Sequence, residues 1–216
     1  MTQSRDEINR IATLDDPLRR RLYDLVRSKE WPVGRHEAAK ELRIGRSLAA
    51  YHLDKLAEEG FLDTSYARPE GRSGPGAGRP AKLYALADAE FAATVPSRDY
   101  SFAAEMFADA AEADASGRVA EAVRETARSS GRELGEGSGT LHAALAARGY
   151  EPYEDDEGTI RLRNCPFHRL AAEHTDLVCG MNLAFVEGLV EGLGDEEARA
   201  RLDPEPGRCC VAIRRR

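Results

Sequence analysis

The sequence predicts a mainly α chain with small β elements, α+β in class, built as two unlike parts. Apolar residues recur at helical spacing in successive stretches between Asp16 and Leu193. Runs that read as strands are short and flank turns, 61–67 with 81–86 and 150–153 with 159–163. Charge also divides the chain: of the net −7, residues 1–96 carry +1 and residues 97–216 carry −8, and all four cysteines follow residue 164. The expected organisation is a helix-turn-helix domain with a hairpin wing over 1–96, a helical linker or dimerisation region over 97–148, and a cysteine-bearing α+β domain over 149–216.

At 216 residues the chain suffices for one large or two small domains. Charged residues at 32% and a mean hydropathy of −0.53 predict a soluble protein. No apolar run approaches the about 18 residues of a membrane helix, so no membrane partner is expected. The start, MTQSRDEINR, has no apolar core of a signal peptide. The cytoplasm is the expected compartment.

The N-terminal elements follow in order. Residues 5–12 form a short leading helix. Asp16-Pro17 starts the next, with the carboxylate as N-cap and proline in the first turn. Leu18, Leu22, Leu25 and Val26 are its apolar stripe, and Trp31-Pro32-Val33-Gly34 breaks it. Two short helices joined by a tight turn fit Glu37–Leu62. Ala38, Ala39 and Leu42 line the first, Arg43-Ile44-Gly45 makes the turn, and Ala49, Leu53 and Leu56 form the buried stripe of the second. Arg46, Ser47, Ala50, Tyr51 and Lys55 are left outward, while His52 is partly packed beside Leu53. Gly60 supplies a left-handed residue at the helix end. This spacing suits a second helix that enters the major groove by its N-terminal residues.

The strands 61–67 and 81–86 enclose a tip containing Gly71, Gly74, Gly76 and Gly78. Arg68, Arg72, Arg79 and Lys82 stand there against Glu70, a net of +3. A basic hairpin directly after such a helix can contact phosphates beside the groove. Residues 14–87 resemble bacterial winged-helix regulators of the ArsR-like group through AAYHLDKLAEEGFL and the returning GRPAKLY. Arg43 departs from the glycine that many such turns carry. Ser47, Ala50 and Tyr51 are the base-facing candidates; Arg46, Lys55, Arg72 and Arg79 are the phosphate-facing ones.

Tyr100–Asp114 places Ala103, Met106, Phe107, Ala110 and Ala111 on one face, read as a dimerisation seam because operators are usually paired half-sites. Val119, Val123 and Ala127 mark a helix over 117–134, which Gly131, Gly135, Gly137 and Gly139 interrupt. Leu141 and Leu145 belong to a helix ending at Gly149. Asp155-Asp156-Glu157-Gly158 reads as a solvated hairpin turn, since it lacks the alternating ligands of a calcium loop. Leu177–Leu193 reads as a mostly buried helix, with Gly188 and Gly192 permitting close packing.

The cysteines run Cys165-x13-Cys179-x29-Cys209, with Cys210 adjacent. A reducing cytoplasm disfavours structural disulfides, and inert buried thiols are a second reading. Cys165-x2-His168 could supply half of a zinc site, although adjacent cysteines chelate one zinc awkwardly. The fourth reading is an iron–sulfur cluster held by thiolates from distant points of the chain. NCPF, LVCGMN, EGLVEGL and PGRCCV resemble the sensor half of SufR-type regulators, in which a winged helix is joined to a cluster-binding domain that controls iron–sulfur assembly genes. The resemblance implies ligation by Cys165, Cys179 and Cys209 of a cluster of the [4Fe–4S] type. Cys210, His168, His174 or an outside ligand would complete it. Adjacent residues on a strand face opposite ways, so only one of Cys209 and Cys210 is expected to ligate. Pro166 is expected to open a helix whose amides face the cluster.

No Walker A, G-x-S-x-G or H-E-x-x-H pattern occurs, and His142 has no recognisable catalytic partner. The expectation is therefore not an enzyme but a homodimeric, DNA-binding repressor whose operator affinity follows an iron–sulfur cluster. A zinc-stabilised regulator and an iron–sulfur redox protein are the alternatives.

Overall fold

The computed structural model describes residues 2–68, 80–94, 96, 98–205 and 207–215, without the side chains of residues 2–5. The chain divides into two compact units, Met1–Arg98 and Asp99–Arg216. The expected phosphate contacts Arg72 and Arg79, with the glycines of the tip, lie outside the described residues.

The first unit runs α1 (Thr2–Thr13), α2 (Pro17–Arg27), β1 (Val33–Gly34), α3 (Arg35–Leu42), α4 (Arg46–Glu58), β2 (Leu62–Ala67) and β3 (Ala81–Leu86). Asp16 caps α2 by accepting from the amides of Leu18 and Arg19, each at 2.9 Å. Arg43 ends α3 in the left-handed region at φ 55°, alone in this among the described non-glycine residues. Gly60 follows α4 at φ 83°, letting the Phe61 amide return to the Leu56 carbonyl. The core joins Leu22, Val26, Val33, Ala38, Leu53, Leu56, Phe61, Leu62 and Tyr84. The antiparallel sheet has order β1-β3-β2. Its β1 falls inside the stretch expected only to break a helix; Val33 pairs with Tyr84 and is fully buried.

The second unit runs α5 (Tyr100–Glu112), α6 (Arg118–Glu136), α7 (Leu141–Ala147), β4 (Pro152–Glu154), β5 (Thr159–Leu162), α8 (His168–Glu173), α9 (Thr175–Gly192), β6 (Ala198–Leu202) and β7 (Val211–Arg215). Its antiparallel sheet has order β4-β5-β7-β6. With both sheets small and nine helices among the described residues, the α+β class stands.

One expectation about α6 is corrected here. The helix lies along α9 within the second unit, inside the stretch 97–148 expected as a linker or dimerisation region. Gly131 and Gly135 do not interrupt α6, because they are its contact face. A Cβ at Gly131 would overlap the Phe185 carbonyl, and one at Gly135 the Leu189 carbonyl; Gly188 and Gly192 meet the carbonyls of Arg128 and Arg132 in the same way. Four missing Cβ atoms let the two backbones touch, which offsets the helix-weakening entropy of glycine. Arg128 pairs with Glu187 and Glu191, and Arg132 with Glu191 at 2.5 Å, along the rim. The α5 stripe, expected as a dimerisation seam, is only partly covered within the chain. Ala108 and Ala111 pack against Leu177, whereas Phe102, Met106 and Phe107 are exposed.

The principal core of this unit contains Leu145, Tyr150, Ile160, Leu162, Val186, Leu189, Cys209, Val211 and Ile213. The Asp155–Gly158 turn closes the β4–β5 hairpin. The Asp155 carboxylate accepts from the amides of Glu157 and Thr159 and from Arg161, which leaves it a structural turn residue.

Candidate functional site

Three segments bring the four thiols together. Cys179 projects from the middle of α9, and Cys165 precedes α8, its carbonyl accepting from the His168 amide at 3.0 Å. Cys209 and Cys210 immediately precede β7. Sγ of Cys179 lies 3.2 Å from Sγ of Cys210, and the Cys165 thiol is hydrogen-bonded to Cys209. The charge of Cys209 acts on both Cys165 and Cys179. Cys209 and Cys210 each face another cysteine, on different partners. They lie outside the strand, in a bend where side-chain alternation does not apply.

Electrostatics distinguish the four. The hydrogen bond to Cys209, then burial, hold the proton on Cys165. The same bond, with the Val211 amide and the Asn182 side chain, lowers Cys209 to about 7. Burial, then the hydrogen bond with Cys210, pushes Cys179 up to about 12.

Sequence reasoning missed the polar residues behind the sulfurs. Asn182, buried one turn along α9 from Cys179, donates its amide to Cys209 Sγ at 3.2 Å and accepts from the Tyr150 hydroxyl at 2.5 Å. The backbone amides of Phe167 and Val211 donate to Cys165 and Cys209. The expected helix after Pro166 begins only at His168, so the Phe167 amide reaches the sulfur from the approach to α8. The phenol and thiol partners of Asn182 come from other segments, so spacing along α9 carries no sign of its role.

His174 is held by carboxylates of α5. Buried His174 places Nδ1 2.9 Å from Glu112 Oε2, and this bond holds its pKa above the ordinary value. His168 is exposed at the start of α8. Among the described residues, no group of three or more His, Cys, Asp or Glu side chains closes around one point as for a single metal ion. The donor set nevertheless fits a thiophilic group. Four sulfurs from three segments, partly buried and met by N–H donors, are a donor type that suits zinc or an iron–sulfur cluster far better than a hard cation.

In the first unit, the outward face of α4 carries Arg46, Ser47 and Tyr51, all exposed, with Leu48 beside them and Ala50 half-buried. Tyr51 is 62% exposed, its ring edge-to-face with His52 at 5.1 Å between centroids. Lys55 is less available: its ammonium lies 2.8 Å from Glu59 and 3.6 Å from Glu58. His52 is buried, with Nδ1 unpartnered among the described residues. Asp54, also missed from sequence, binds α4 to β3. It accepts from the Tyr84 hydroxyl at 2.8 Å and pairs with Lys82 at 2.5 Å, so Lys82 contributes less free charge to the hairpin than expected.

Comparison of the chain with protein-family models, with curated proteins and with solved structures finds no match. No helix among the described residues is long and apolar enough to cross a membrane.

Proposed function

We propose that this chain is a cytoplasmic, homodimeric transcriptional repressor of the SufR type. A winged helix-turn-helix formed by α3, α4 and the β2–β3 hairpin would read an operator in double-stranded DNA. The second unit would hold an iron–sulfur cluster on Cys165, Cys179, Cys209 and Cys210. The observation that supports the reading is the pairing of the cysteines across three segments, Cys179 with Cys210 and Cys165 with Cys209, in a chain whose other unit exposes Arg46, Ser47 and Tyr51 along one helix face.

A bound cluster would supply one-electron redox chemistry and sensitivity to oxidants. The chain's own residues prepare for it: Asn182 and the Phe167 and Val211 amides direct N–H groups at the sulfurs, and Tyr150 fixes the Asn182 amide. On the DNA side, Asp54 fixes the hairpin against α4 through Lys82 and Tyr84. A second copy is proposed because readers of this kind engage paired half-sites.

Two measurements test the reading. Protein purified without oxygen should be brown and contain iron matched by sulfide; a colourless protein with one zinc per chain would replace the cluster by a structural metal. Selection from random duplexes should return a preferred sequence bound at about 0.2 M salt, where non-specific binding has fallen steeply. Binding without sequence preference would overturn the regulator reading.

A further inference from the structure

We propose that Cys179 and Cys210 are a redox modification site that closes as a reversible disulfide when no metal group occupies the sulfurs. The proposal is independent of the DNA-binding reading and of which metal group the thiols hold. Their sulfurs stand 3.2 Å apart, and bonding at about 2.05 Å needs about 1 Å of movement. Cys179 sits on a helix pinned to α6 by the glycine contacts, whereas Cys210 occupies the bend before β7 and can adjust. Cys210 is half-buried and reachable by a small oxidant, while Cys179 is enclosed as the resolving thiol.

The other pair is less suited. Cys209 Sγ already accepts from Asn182, the Val211 amide and the Cys165 thiol, which commits its electron density. Its backbone amide is also anchored to the Leu162 carbonyl at 2.9 Å.

The co-reactant is a hydroperoxide. The Cys210 sulfur attacks one peroxide oxygen; an S–O bond forms as the O–O bond breaks, giving the sulfenic acid and one water. The Cys179 sulfur then attacks the Cys210 sulfur. The S–S bond forms as the S–O bond breaks, and the hydroxyl leaves with the Cys179 proton as a second water. Two thiols are oxidised by two electrons and the peroxide is reduced. A dithiol reverses the reaction by exchange. The closed form withholds two sulfurs, so the site cannot be filled until it is reduced.

The test uses the full chain, freed of metal with EDTA under anaerobic reducing conditions, desalted, and exposed to one equivalent of hydrogen peroxide. Remaining thiols are alkylated and the tryptic peptides mapped. Two of the four thiols should be lost, with the label retained on Cys165 and Cys209. The Cys179 peptide should be joined to that of residues 209–214, and dithiothreitol should restore all four thiols. C210S should abolish the cross-link and C165S should keep it. A Cys165–Cys209 or Cys209–Cys210 bond, a link between chains, or four labelled thiols after peroxide would each overturn the proposal. The wild-type map decides the matter even if a variant fails to fold.

Discussion

The Asn182 side-chain amide donates to the Cys209 sulfur at 3.2 Å, joining a buried polar residue of α9 to the segment before β7. Its carbonyl is taken by Tyr150, and both residues are almost fully buried. Removing one partner leaves a buried polar group unpaired, at a cost of about 1–3 kcal/mol. Asn182→Ala should lower the urea midpoint accordingly, and Tyr150→Phe should do so by a smaller amount. The double variant should be less destabilised than the sum, because the two share one bond. Strict additivity would sever the relay.

The helix pair α6–α9 leaves no room for a side chain at Gly188, where a Cβ would meet the Arg128 carbonyl. Gly188→Ala should destabilise the unit by about 3 kcal/mol, at the upper end of overpacking costs. Gly137, whose added Cβ would meet only ordinary contacts at 3.8 Å, provides the contrast. Gly137→Ala should be neutral or stabilise by about 0.5 kcal/mol through the unfolded chain. Thermal unfolding of both variants checks the pair, and equal effects would deny the tight contact.

His174 brings a pH dependence. Its hydrogen bond to Glu112, helped by the charges of Glu112 and Asp109, raises the folded pKa above the ordinary histidine value of about 6.5. A raised histidine value gives stability that is fully present below the unfolded value and is lost as pH climbs through the folded one. Melting temperature measured upward from pH 6 should therefore fall more in the wild type than in Glu112→Gln, which removes the charge. Parallel curves would show that the pair contributes nothing.

On α4, Arg46 is the exposed cation nearest the helix start. Arg46→Ala should weaken operator binding across sequences and reduce the slope of log affinity against log salt by about 0.9, the value of one phosphate contact. Tyr51→Ala should instead alter which base is preferred. Lys55→Ala should have the smaller effect on affinity, because Glu59 already holds its ammonium. A salt slope unchanged in Arg46→Ala would remove that residue from the interface.

Local signals were the legible ones. The Asp16 cap, the α4 stripe of Ala49, Leu53 and Leu56, and the left-handed Gly60 each depend on neighbours within a turn or two, so spacing sufficed. Strands that depend on distant partners were not legible: β1 is two residues long, and the alternation of ARARL in β6 sets only two alanines and a leucine on its apolar face. The glycines of α6 looked like breaks because their meaning lies on another helix. At the sulfur site, the clustering of all four cysteines after residue 164 raised the expectation of a shared site. It did not show the Asn182 donor, or the bend that turns both Cys209 and Cys210 inward.

The order β4-β5-β7-β6 places the latest of these strands between two earlier ones. Ile213 faces Ile160 on one side and Ala200 on the other, so β5 and β6 have no ladder in common until β7 arrives. Synthesis from the N-terminus therefore makes β5 and β6 before the strand that joins them. Vectorial folding is closed to this unit: the nascent segment, with Cys165 and Cys179 unshielded, must wait for its keystone. Premature termination anywhere before Val211 would then leave a product for the proteases rather than a partly working domain.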